Sequence, residues 1–335
     1  MKAKPILIYT IFSILVSIMT GCGSLSEGES TENKMMPSSN PEKIRVFKHP
    51  MGEVQLKGIP LRVVTLDFNY TEDLLALGIQ PVGVADIASK TGFNSLVNIE
   101  PGLAENVADV GGRQEPNLEK IAELKPDLII ANLYFVKKNY TMLSEIAPTM
   151  IFDPYPSEGK NQYEEMVETF RTIADMLGKK EEAEQQLAHL KQTYEEARVV
   201  LATAGKEDLP VVLAQLFPGQ TGPTIMLFSR NSQGANILKE IGLNNIYESP
   251  TFEPLGGTTT TVEALTALQQ ANFIYMNTDS SGGLETLLKQ NALWEQLDFV
   301  KEKRDFPLER TVWGYGGPLS AKLLVQEIVK VLTRQ

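Results

Sequence analysis

The chain has one cysteine, two histidines and no apolar run as long as a membrane span needs. One cysteine in 335 residues excludes an internal disulfide and a thiolate metal cluster. Neither His49 nor His189 has a ligand partner at metal spacing. No histidine is placed for a Ser-His-Asp arrangement. There is no Gly-x-x-x-x-Gly-Lys-Ser/Thr loop, and no Gly-x-Gly-x-x-Gly follows a strand. Carboxylates are plentiful, yet no apolar setting singles out a pair. With nucleophile and acid/base types missing, the chain reads as a non-enzyme that needs no cofactor and ligates no metal with its own side chains. Excess positive charge is missing too. A formal net charge of −11 and a pI near 4.9 argue against a nucleic-acid partner.

What is present begins with Cys22. Lys2 and Lys4 precede an apolar run over residues 6–19, and Met19-Thr20-Gly21-Cys22 leads into the cysteine. The run is shorter than the roughly 20 residues of a span. A charged start, an apolar stretch and a small-residue cleavage site predict a secretory signal over residues 1–21. A cysteine at that place is a site for a diacylglycerol anchor, which would hold the chain on the outer face of a membrane. Residues 22–42, rich in Ser, Glu, Asn, Gly and Pro, are expected to be a flexible tether.

From residue 44 onward, short apolar runs alternate with helical patterns. Strands are expected over 62–66, 81–85, 127–131 and 149–152, with helices over 72–77, 118–124 and 141–146 between them. Strands separated by crossover helices imply a parallel sheet with helices on both faces. Two helical stretches then interrupt. The one over 162–177 carries Tyr163, Met166, Phe170, Ile173 and Leu177 at three-four spacing, and the one over 181–201 is richer in charge. The α/β pattern resumes with strands over 210–216, 225–228 and 273–277. The expected architecture is α/β: lobes over 43–158 and 179–335, joined by one long helix within 159–178. A helix of about 16 residues rises about 24 Å, enough to lie along both lobes and limit their relative rotation.

In open parallel sheets the ligand crevice lies at the carboxyl ends of the strands. The loops there carry rings and charge: Asp67-Phe68-Asn69-Tyr70, residues 86–93, Gly112-Arg113-Gln114-Glu115, Asn132-Leu133-Tyr134-Phe135, Phe217, Ser229-Arg230-Asn231, Phe252 and Trp313-Gly314-Tyr315. Rings offer rigid apolar faces, and arginine a planar fork for oxyanions. Together they suit a bulky, oxygen-rich, anionic or neutral ligand. Phe68 and Phe135 are as well suited to the core as to a cleft, and Phe217 and Phe252 lean to the core. Arg113 admits either a ligand contact or a plain surface ion pair with Glu115.

The stretches Glu72–Asp86, Val110–Glu119, Leu124–Ile130, Asn291–Trp294 and Val312–Ala321 resemble the substrate-binding lipoproteins of iron–siderophore ABC importers, closest to the iron(III)-hydroxamate-binding type. The resemblance covers residues 44–332 and implies a class III periplasmic-binding-protein architecture: two Rossmann-like lobes joined by one long helix. It implies an Fe(III)-siderophore as ligand, with iron held by the chelate's own oxygens. Arg113 and Tyr134 would meet those oxygens, and Phe93, Trp313 and Tyr315 would line the cleft; Arg230 and Phe252 are further second-lobe candidates. A second-lobe tryptophan of the hydroxamate type has no counterpart, and Leu255 lies near its place, which leaves ferric citrate or another carboxylate chelate open. Glu72 and Glu240 are the expected docking carboxylates for an ABC permease with its ATPase. The implied protein is a lipid-anchored, extracytoplasmic monomer. Haem, with Tyr134 or Tyr315 as iron ligand, and cobalamin are alternatives on the same fold. A surface protein without a small ligand is the remaining class.

Overall fold

The structure is a computed structural model that describes residues 44–334 apart from Lys90, Pro156, Thr221, Ser280, Ser281 and Arg310. The expected signal, Cys22 and the tether lie outside the described residues. The first described element is a hairpin that the strand pattern did not announce: β1 (Ile44–His49) pairs antiparallel with β2 (Gly52–Lys57). Val54 and Leu56 of β2 join the first-lobe core. Arg45 reaches out of β1 to the carbonyls of Asp175 and Met176.

The first sheet has five parallel strands in the order β5-β4-β3-β6-β7. These are β3 (Val63–Thr65), β4 (Gly83–Val84), β5 (Ala108–Asp109), β6 (Leu128–Asn132) and β7 (Thr149–Phe152). Side chains alternate between its two buried faces. Leu128 and Ile130 enter one core cluster, Ile129 and Ala131 another. That is why β6 reads as a continuous apolar run.

The second sheet is mixed. Its main path is β11-β9-β8-β12-β13, with β10 on β8. The strands are β8 (Pro210–Pro218), β9 (Pro223–Phe228), β10 (Asn244–Asn245), β11 (Gly257–Thr260), β12 (Asn272–Asn277) and β13 (Asp305–Pro307). β12 and β10 run parallel to β8, while β9 runs antiparallel to it. Residues 219–222 are too short a connection for a crossover helix, so β8 and β9 form a hairpin.

The lobes are bridged by two helices, one more than expected. The linking helix, Gln162–Met176, starts on the second lobe and ends on the first. Tyr163 and Met166 pack against the second-lobe core, whereas Phe170, Ile173, Ala174 and Met176 are buried in the first. Its start is pinned: the Gln162 N–H donates to the Asn231 carbonyl at 2.9 Å. The long helix, Lys180–Thr203, runs back. Ala183 lies in the first-lobe core; Leu190, Tyr194, Ala197 and Leu201 lie in the second. Its charge-rich composition hides that apolar stripe from a periodicity reading. The last helix, Pro318–Thr333, belongs to the second-lobe core except at its start, where Leu319 packs on the first lobe. No described helix is long and apolar enough to cross a membrane.

Candidate functional site

A cavity of about 250 Å³ opens between the lobes. First-lobe loops reach it from the carboxyl ends of β3 (Asp67, Asn69), β5 (Arg113), β6 (Asn132, Phe135) and β7 (Pro154, Tyr155). The linking helix adds Met166, and the second lobe adds Met226, Leu255, Trp313 and Tyr315.

Asp67 organises the first-lobe wall. It caps the first helix, Phe68–Ala76, by accepting from the Asn69 N–H, and accepts from Asn132 Nδ2 at 3.0 Å. Asn132 in turn accepts from the Tyr134 N–H at 3.0 Å. Burial raises the Asp67 pKa, and the positive charge of Arg113 offsets part of that rise.

Arg113 sits in a cage of rings. Its Cζ lies 3.9 Å from the centroid of Phe68, 5.0 Å from that of Phe135 and 5.9 Å from that of Trp313. Cation–π attraction of this kind contributes roughly 0.5–2 kcal/mol per ring, depending on desolvation. Among the described residues the guanidinium makes no hydrogen bond and no ion pair, with Glu115 or any other acid. Its five donors are therefore oriented by the rings and unspent, which suits it to bind oxygens brought by a ligand.

Trp313 is half-buried. Its Nε1–H donates to Asn69 Oδ1 at 2.8 Å, and its ring meets Phe68 edge-on at 5.4 Å. Tyr315 packs on Trp313 at 5.6 Å, and its hydroxyl donates to the Leu255 carbonyl at 3.0 Å. Both rings line the cavity. Tyr134 is 63 % exposed and lies outside the cavity wall, packed edge-on against Phe135 and Tyr155. It stands beside the cavity, next to two of its rings.

Four expectations are corrected. Phe93 is 1 % exposed and meets Phe68 edge-on at 5.8 Å, so it supports the Arg113 cage from behind and does not line the cleft. Arg230 and Phe252 line a second, more open depression of about 770 Å³ that shares no residue with the first, and Arg230 is paired with Glu248. Glu72 is fully buried, because the first helix starts at Phe68 and places Glu72 a full turn inside it. Its carboxylate accepts from the Ser320 N–H at 2.7 Å and from Ser320 Oγ at 2.5 Å. Glu72 thus holds the amino end of the last helix across the lobe interface, where backbone donors are open. A buried strut does not meet a permease. Burial outweighs those hydrogen bonds and pushes its pKa up to about 7. The close approach requires glycine: a Cβ on Gly316 would come within 2.4 Å of Glu72 Oε2, and one on Gly317 within 2.4 Å of Asp73 Oδ1. Glu240, by contrast, is exposed at the end of the helix Gln233–Glu240.

The structure adds Tyr70, Asp73, Tyr155 and Glu165 to the wall. Burial, helped by the charge of Asp67, pushes the Tyr155 phenol up to about 12. Its position just after the carboxyl end of β7 was the available signal. Among the described residues no three of His, Cys, Asp and Glu are grouped to hold a metal ion.

A family model described as periplasmic binding protein matches residues 63–309. An Fe(3+)-citrate-binding protein of Bacillus subtilis is 27 % identical over 334 residues, covering 98 % of this chain and 96 % of its own. An iron(3+)-hydroxamate-binding protein of Escherichia coli is 31 % identical over 267 residues, covering 80 % and 85 %. Among solved structures, the Fe3+-Desferal-bound siderophore-binding protein of Vibrio cholerae superposes with a TM-score of 0.72 at 30 % identity, covering 82 % of this chain and 98 % of its own.

Proposed function

The chain belongs to the periplasmic binding protein family, and from that premise we propose that it captures a ferric siderophore and delivers it to an ABC permease. The observation that carries this reading is Arg113, whose unspent donors are held by rings at the wall of an interlobe cavity. The siderophore wraps Fe(III) in its own oxygens, and the Arg113 guanidinium donates to those oxygens in charge-assisted hydrogen bonds. The Tyr134 hydroxyl, exposed beside the cavity, adds a second donor, and Trp313 and Tyr315 pack on the organic arms. No protein-ligated metal and no chemical step are part of the scheme. The relatives named for hydroxamate and citrate chelates support this ligand class.

In the same reading Cys22 carries the lipid, which holds the binding body at the extracytoplasmic face of the membrane. Anchoring raises the local concentration of loaded protein at the permease. Glu240 is the remaining candidate for docking, as an exposed charge that orients more than it binds.

Intrinsic fluorescence tests the proposal. Trp294 is 4 % exposed in the second-lobe core, so quenching by a chelate in the cleft reports on Trp313. Titration with a ferric hydroxamate, ferric citrate, a ferric catecholate, haem and cobalamin is expected to show saturable quenching by a ferric siderophore. Quenching by haem or cobalamin alone, or by nothing, would overturn it.

A further inference from the structure

Two polar atoms in the cleft wall have no partner. Asp73 Oδ1 and Tyr70 Oη are buried and make no hydrogen bond with the protein, and both residues line the same cavity. Their residues are 2 % and 1 % exposed and stand on one helix. Buried polar groups are nearly always satisfied, so two orphans on residues that line one cavity mark a place where a ligand group would complete the set.

The charge of the wall points to the kind of group. Asp67, Asp73 and Glu165 bring three carboxyl groups against the one guanidinium of Arg113. Asp67 is engaged by Asn132 and Asn69, and Glu165 accepts from Thr169 Oγ1. Asp73 Oδ1 has no hydrogen-bond partner. Burial and the neighbouring Glu72 hold the Asp73 pKa well above the usual carboxylate range, as befits a carboxyl that lacks a cation. At about 250 Å³ the cavity falls below the roughly 300–1,000 Å³ of pockets that enclose a whole small molecule. That volume suits part of a ligand more than the whole of one.

We propose that the Asp73–Tyr70 floor is a subsite for a protonated amine, so that the cleft prefers a ferric chelate with a pendant ammonium arm over an anionic one. An ammonium has three donors and no acceptor, and the two orphaned oxygens receive two of them. An anionic chelate would place its charge over a floor without a cation. This inference rests on the reading of the chain as a ferric-chelate binder.

The test compares ferrioxamine B, which ends in a free ammonium, with its N-acetylated form, by Trp313 quenching of the full chain at pH 7.5. The ammonium form is expected to bind tenfold or more tightly, the range of a charge-assisted hydrogen bond. That ratio is expected to fall toward one in Asp73→Asn. Equal affinities in the unaltered chain overturn the subsite without any variant. A ratio that survives in Asp73→Asn is steric and overturns it too, as does tighter binding of ferric citrate than of ferrioxamine B. In each of these three outcomes the ferric-chelate reading stands; quenching by no iron chelate would remove both.

Discussion

Arg113 is held by rings, and that decides what its loss should do. Truncation to alanine removes the unspent donors and leaves Phe68 packed edge-on against Trp313. Arg113→Ala is expected to weaken chelate binding at least tenfold, about 1.5–3 kcal/mol, with the unfolding midpoint little changed. Unchanged quenching titrations would take Arg113 out of the site. Arg113, Trp313 and Tyr315 were named through the resemblance carried by residues 110–119 and 312–321, since the short strands before their loops, β5 and β13, were not expected from the pattern. Glu72 was not legible. Its burial comes from Ser320, 248 positions away, and no local pattern carries that contact. The same holds for Asp73, which looks like an ordinary polar member of the first helix until Gly317 packs beside it.

At the scale of elements, the linking helix stands out because its two halves serve different cores. Phe170 is fully buried on the first lobe, four residues beyond Met166, which packs on the second. Phe170→Ala is expected to lower unfolding stability by about 3–5 kcal/mol in urea titrations. A loss below about 1 kcal/mol would mean that the bridge is not anchored there. This helix was readable from its spacing, since the apolar positions keep the 3.6-residue period through both contacts. Its partner, Lys180–Thr203, was readable as a helix and missed as a bridge. Only five of its 24 residues are buried, spread thinly along its length. The antiparallel β8–β9 pair was implicit in the length of its connection, and the β1–β2 hairpin was masked by half-exposed alternation.

The whole molecule is fastened across its middle by a buried carboxyl, and this makes its stability depend on pH. The Glu72 pKa is raised from an ordinary 4.5 to about 7 in the folded state. The folded chain therefore holds more protons than the unfolded chain between those values, so stability falls as pH rises through that window. The contribution lost by pH 8 is about 3 kcal/mol. Between pH 5 and 8 the melting temperature is expected to decline, with a shallower slope in Glu72→Gln. Identical slopes would show that Glu72 does not titrate at the interface. Asp73 beside it is shifted in the same direction, so some slope remains in the variant.

The glycine beside that carboxyl has a mechanical consequence. The lobes meet over Gly316 with no room for a single added carbon, since a Cβ there would stand 2.4 Å from both Glu72 Oε2 and the Ser320 side chain. A methyl group at this position is a wedge. It has to displace the Glu72 carboxyl or the turn at Ser320, and Trp313 and Tyr315 belong to the same loop. The seating of the last helix on the first lobe thus depends on the thickness of one backbone segment, and Gly316→Ala is expected to shift Trp313 relative to Phe68 and Phe135 of the Arg113 cage.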